Sequence, residues 1–192
     1  MSTTQRKSKF RDAAFRFLKT FSQAFRIVPS PVFSILWNAS DLFDGRLGAL
    51  VRYVLLAGRL KSCGVNVFVG RNVSIVNPEN VSLGSDVSIH HGCTLLASGP
   101  ITIGDSTAIA HGSSLVSGEH SWEDESVPIK YNTFIVKSVV IERDVWIGCG
   151  VRILGGASIG TRTVVAAGAV VKGIVPSRVL FAGVPGRVVK PL

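Results

Sequence analysis

Four histidines and three cysteines carry most of the reactive chemistry in this 192-residue chain. His120 stands alone in a polar run, Gly118-Glu119-His120-Ser121-Trp122-Glu123-Asp124. An imidazole titrates at about pH 6.5, so it can take and return a proton near neutrality. Such a group suits removal of a hydroxyl proton during nucleophilic attack, typically a ~10²–10⁴-fold contribution. A solvated loop histidine beside Glu119, Glu123 and Asp124 is the plainer reading of the same residues. His90, His91 and His111 form a second group. Three histidines on zinc would be a different chemistry, and the spacing needed for that ligand set is absent here. Cys63, Cys93 and Cys149 give neither a CxxC metal spacing nor a disulfide framework. A reducing compartment, the cytoplasm, is the resulting expectation. Gly148-Cys149-Gly150 and Gly155-Gly156 complete neither a GxGxxG nor a phosphate-binding loop.

The elements that must position these groups follow from a repeat. Aliphatic residues recur every six positions as Val69, Ile75, Leu83, Ile89, Leu95, Ile103, Ile109 and Leu115. The series resumes with Ile141, Ile147, Ile153, Ile159, Val165 and Val171. Four positions after most of them stands a small or β-branched residue, such as Val73, Cys93, Ser113, Ala157, Ala169 or Val175. Gly or Ala often follows the aliphatic directly, as at Gly70, Gly104 and Gly148. The pattern reads as a coil with short flat sides, each aliphatic pointing inward onto its counterpart one coil away. No single hexad buries its own apolar side chain, so stability comes from stacking. Three intervals depart from six: 75 to 83, 95 to 103 and 115 to 141. With three units per coil all three fall at one corner, twice as a two-residue bulge and once as a protruding loop over 118–138. His91 and His111 then stack along one edge, with Arg71 below and Cys149 above. The expected class is all-β, a parallel β-helix of hexapeptide repeats over 63–192.

Residues 1–62 are of another kind. They hold eleven Lys or Arg against three acids, which leaves +8 of the chain's formal +9 in this segment. Phe10, Ala14, Phe17, Leu18, Phe21, Phe25 and Val28 recur at helical spacing. Pro29 and Pro31 should end that helix, and two further apolar stretches follow. An α-helical, basic, amphipathic N-terminal segment is expected. It would either lie against an anionic membrane surface or pack on the coil or a subunit contact. Charges at Arg11, Asp12, Arg16 and Lys19 interrupt any leader-like apolar run. No stretch of about 18 apolar residues exists to span a bilayer. Basic residues are not interleaved with strand aromatics, so nucleic acid is not an expected partner.

The repeats, the loop around His120, the run Asp144-Val145-Trp146-Ile147-Gly148 and the tail Phe181-Ala182-Gly183-Val184-Pro185-Gly186-Arg187-Val188-Val189-Lys190 together carry a resemblance. Over residues 64–192 the chain resembles the hexapeptide-repeat acyltransferases, in the maltose, galactoside and xenobiotic O-acetyltransferase branch that also includes polysaccharide O-acetyltransferases. The resemblance implies a left-handed coil and a homotrimer with acetyl-CoA between subunits. It implies O-acetyl transfer to a sugar or cell-envelope glycan, with His120 as the general base and no metal. Acetyl-CoA contacts map onto Gly148, Cys149, Ala167, Lys172, Arg187 and Lys190, and Trp146 would wall the site near the thioester. Backbone N–H groups are the expected oxyanion donors, and the small side chains of Gly148 and Cys149 would permit close approach. His90 stands where sugar-acetylating relatives carry an acceptor-binding Asn. Rival readings are an N-acetyltransferase on an amino sugar, a metalloenzyme like the γ-class carbonic anhydrases, and a non-catalytic β-helix scaffold. The first usually carries an additional α/β nucleotide-binding domain, for which residues before 64 show no pattern.

Overall fold

The computed structural model describes the backbone of residues 3–192 and side chains from residue 13 onward. From Ser62 the chain winds as a parallel β-helix with three faces. Inward side chains stack in three columns. The first face stacks Cys63, Leu83, Ile103, Ile141, Ile159 and Val175. The second stacks Val69, Ile89, Ile109, Ile147, Val165 and Phe181. The third stacks Ile75, Leu95, Leu115, Ile153 and Val171. Apart from Ile75 all of these are buried, which is the stacking that the six-residue period predicts.

The three long intervals do fall at one corner, between the third and first faces. The last coil departs from the pattern at that same corner. Val175 follows Val171 by only four residues, yet Ile159 pairs with Val175 in register. Val175, expected as a small corner residue, instead takes the inward position of the first face. The chain there cuts the corner rather than bulging from it.

The other two corners demand left-handed backbone. Between the first and second faces Asn66, Asp86, Ser106, Asp144, Arg162 and Arg178 have positive φ. Between the second and third faces the column is Asn72, Gly92, Gly112, Gly150 and Gly168. The glycines that directly follow an aliphatic residue serve a different purpose. A Cβ at Gly148 would lie 2.5 Å from the Ala167 backbone nitrogen, so the bare Cα permits close approach of successive coils.

Three helices precede the coil: α1 (Thr3–Ser22), α2 (Ser30–Ala39) and α3 (Gly45–Ala57). Pro29 ends the first helical run as expected, and Pro31 sits in the first turn of α2, where its missing N–H costs nothing. Their placement answers a physical need. The first coil donates its N–H groups upward, as Gly64 does to Leu83 O and Phe68 to Val87 O. Val65 O and Arg71 O accept from Asp86 N and Gly92 N of the next coil, but several other carbonyls of the first coil have no partner there among the described residues. Side chains of the helical segment supply the missing donors. Lys19 Nζ donates to Cys63 O, Tyr53 OH to Gly64 O, Arg52 Nε to Val69 O and Trp37 Nε1 to Val73 O. The helices therefore cap an open β edge that would otherwise be a template for association. Arg52 is fully buried, and burial lowers the affinity of its guanidinium for a proton while Asp41 opposes that. It also donates to Ser40 O and Phe43 O.

The helix face differs from the expected one. Phe15, Leu18 and Ser22 turn toward the core, whereas Phe17 and Phe21 point outward. Periodicity locates a stripe of apolar residues and not the side on which the core lies. The Phe10, Arg6, Lys7, Lys9 and Arg11 side chains lie outside the described residues.

Candidate active site

His120 sits on a hairpin that leaves the coil at the third–first corner. Gly118–His120 pairs antiparallel with Phe134–Val136, and His120 is opposite Phe134. The imidazole packs edge-on against the Phe134 ring, with centroids 5.1 Å apart. Its Nδ1 lies 3.2 Å from Asn132 O. A carbonyl only accepts, so Nδ1 carries the hydrogen of the neutral ring and the lone pair is on Nε2. Nε2 makes no hydrogen bond to any described residue. Asn132 itself is buried, and its side chain ties the loop: Nδ2 donates to Asp124 O at 2.7 Å, and Oδ1 accepts from Asp124 N at 3.3 Å. At the hairpin root Lys137 Nζ meets Glu119 Oε1 at 2.6 Å. That hydrogen bond holds the Glu119 carboxyl below its ordinary pKa, with Lys172 adding to the effect. Lys172 therefore stands on the His120 edge.

A second group of expected site residues gathers along the second–third edge. Gly112 N donates to His91 O, Gly150 N to His111 O and Gly168 N to Cys149 O. These bonds align His91, His111, Cys149 and Ala167 in one column, the order that the repeat phase predicts. Among the described residues, the Cys149 and Ala167 N–H groups make no backbone hydrogen bond. They are one coil apart, about 4.8 Å, and flanked by small side chains. Such a strip suits an extended ligand with carbonyl acceptors.

The Gly148 N–H donates to Val165 O at 2.8 Å and is committed to the ladder. The Cys149 and Ala167 N–H groups, by contrast, are left open on this edge.

Trp146 stands outward on the second face, 57% exposed, between Ala108 and Val164. His90 lies on the same face, its ring 5.5 Å from Phe68. Partial burial lowers its pKa, with the nearby His91 and His111 adding to the shift. His91 Nδ1 is engaged by the Arg71 N–H at 3.0 Å. Arg187 pairs across from Ala182 at the end of the strip, while Lys190 pairs with Leu180 farther from the edge.

Two residues not anticipated from sequence join these groups. Asn132 gives no signal because its partners appear only once the hairpin closes. Arg152 gives a weak one: it is the only cation in an outward column with Ser74, Thr94, Ser114 and Val170. Its Nη1 spans Gly112 O and Gly150 O, at 2.7 and 3.0 Å, and sets a positive charge beside the strip.

Within one chain the two groups stay apart. His120 and Lys172 stand on one edge of the third face; Cys149, Ala167, His90 and Trp146 stand on or beyond the other. About five extended residues separate the edges, roughly 16 Å.

The bacterial transferase hexapeptide (six repeats) family model matches residues 138–173. An Escherichia coli (strain K12) chain named for O-acetyl transfer in lipopolysaccharide biosynthesis, WbbJ, is 36% identical over 125 residues, covering 65% of this chain and 57% of that one. Galactoside O-acetyltransferase of the same organism is 30% identical over 138 residues, covering 68% and 57%. The chain thus spans little more than half the length of these curated relatives. A hexapeptide-repeat acetyltransferase of Vibrio cholerae, solved with acetyl-CoA, superposes with a TM-score of 0.74 at 30% identity, covering 83% of this chain and 85% of that one. Shared coils, shared sequence and near-complete mutual coverage with that structure establish that this chain belongs to the hexapeptide-repeat acetyltransferases.

Proposed function

We propose that the chain is an acetyl-CoA-dependent O-acetyltransferase that acylates a hydroxyl of a sugar or cell-envelope glycan, with His120 as the general base. The observation that carries this reading is the His120 ring, anchored through Nδ1 on a backbone carbonyl with Nε2 left to the solvent side. The acetyl-CoA in the Vibrio structure and the O-acetyl transfer in the names of the E. coli relatives support the donor and the reaction class.

When bound, acetyl-CoA supplies the acetyl group as a thioester. His120 Nε2 takes the acceptor hydroxyl proton as that oxygen forms its bond to the acetyl carbon. The same imidazolium returns the proton to the sulfur as the carbon–sulfur bond breaks, so the ring ends as it began. The Cys149 and Ala167 N–H groups serve the carbonyl oxygens, and Arg152, Lys172, Arg187 and Lys190 supply positive charge for phosphates. His90 and Trp146 face the acceptor.

The separation of the two edges supports a homotrimer. A threefold neighbour would lay its strip against the His120 edge, and Lys172 would then share the cleft. Hydrophobic side chains on the hairpin, including Trp122, Ile129 and Tyr131, are more than half exposed in the single chain and suit such a contact.

Release of CoA from acetyl-CoA, measured over a panel of sugars, glycans and hydroxyl-bearing antibiotics, tests the reading. Acceptor-dependent release that falls at least ~10²-fold in His120→Ala is expected. Release unaffected by the substitution would remove His120 as the base. No release with any acceptor and no acetyl-CoA binding would overturn the enzymatic reading itself.

A further inference from the structure

The helical cap has an outer surface that the coil does not use. Phe17 and Phe21 are one turn apart on α1 and, unlike Phe15 and Leu18, turn away from the core, 75% and 60% exposed. Ile27 and Leu42, in the two turns that join the helices, are 87% and 84% exposed, and Ile35 projects from the outer side of α2. Capping the coil therefore does not explain these side chains.

Charge identifies what would cover them. Lys19, Arg52 and Arg59 are engaged inward, on Cys63 O, Val69 O and Phe25 O. Exposed Arg16, Arg26 and Arg46 form no ion pair with a described acid. The described acids of the segment are occupied: Asp41 accepts from Asn72 N and faces Arg52, and Asp44 caps Gly45 N. Four more cations, Arg6, Lys7, Lys9 and Arg11, precede them in sequence. A second copy seated on this face would set one +8 segment against another, so self-association there is disfavoured. An interface of apolar chains under anionic headgroups satisfies both features at once. Among the described residues no helix is long and apolar enough to cross a membrane, which leaves peripheral docking.

We propose that the outer face of the helical cap docks on an anionic lipid bilayer, with Phe17, Phe21 and Ile35 entering the interface and Arg16, Arg26 and Arg46 meeting the headgroups. Co-sedimentation of the full chain with vesicles tests this. Vesicles of phosphatidylcholine with about 30% phosphatidylglycerol should bind at least ~10-fold more tightly than phosphatidylcholine alone, and less so as salt rises. The double substitution Phe17→Ser, Phe21→Ser should weaken that binding about tenfold, with helical content and oligomer mass unchanged. Arg16→Glu with Arg26→Glu should abolish the preference for anionic lipid. No binding to the anionic vesicles, or equal binding to both kinds, would overturn the proposal. Loss of oligomer mass in the Phe double variant would overturn it too, because the face would then seat another copy. None of these readouts depends on the transferase reaction.

Discussion

Asn132 is buried although it belongs to an otherwise exposed loop, and the bonds it makes explain why. Its carbonyl fixes the His120 ring, and its amide closes the turn back to Asp124. Truncation to Ala leaves that carbonyl in place but frees the turn that carries it. Asn132→Ala should therefore lower kcat about tenfold while leaving KM for acetyl-CoA unchanged, since a loosely held base misaligns proton transfer rather than cofactor binding. Steady-state kinetics separate the two, and an unchanged kcat would show that His120 does not need this support. The loss of two partly buried hydrogen bonds should cost about 1–3 kcal/mol in a thermal melt. His120 is legible in the sequence because a lone imidazole in a polar run stands apart from the aliphatic repeat on either side. Asn132 is not, because its partners Asp124 and His120 lie 8 and 12 residues away and meet only in the hairpin.

At the scale of elements, the coil places opposite demands on Gly148 and Gly150, which only Cys149 separates. Gly150 has φ +66° and nothing within 4 Å of where a Cβ would stand. Its column begins with Asn72 in the same conformation. Gly150→Asn should be tolerated within about 1 kcal/mol, whereas Gly150→Val should cost more, because β-branched residues resist left-handed backbone. Gly148→Val should be far worse, since backbone would have to move to admit any side chain. Thermal melts of the three variants rank them, and a Gly148→Val protein as stable as Gly150→Asn would contradict the packing described. The stacked columns are readable because the six-residue period and the shared corner of its insertions are independent signals of one architecture. The short corner at Val175 is not, because Val suits both a corner and an inward position. Periodicity misassigns the helix face for a similar reason: Phe17 and Phe21 make a regular stripe, but the carbonyls of the first coil decide which side turns inward. The capping contacts of Lys19, Trp37, Arg52 and Tyr53 have no sequence signature, as they answer an edge that exists only once the coil is wound.

At the scale of the whole molecule, the candidate site is divided. His120 and Lys172 occupy one edge of the third face, and Cys149, Ala167 and Arg152 border the other. On the proposed reading the base and the cofactor strip stand on edges about 16 Å apart in one chain, so the working site would draw its second half from a neighbouring copy. Both halves of this arrangement are legible in the residues, but their separation is not, because it depends on the face of the coil that each hexad reaches. The direct measurement is complementation between two inactive chains, His120→Ala and Cys149→Trp, the second placing a bulky side chain on the strip. Each alone should show at most ~1% of wild-type acetyl transfer. Mixed trimers formed at equal ratio should recover about a quarter of wild-type activity, because one site in four would pair an intact base with an intact strip. Recovery near that level is the predicted result. Mixed oligomers that form but stay inactive would show that base and strip act within a single chain, and would contradict the shared site.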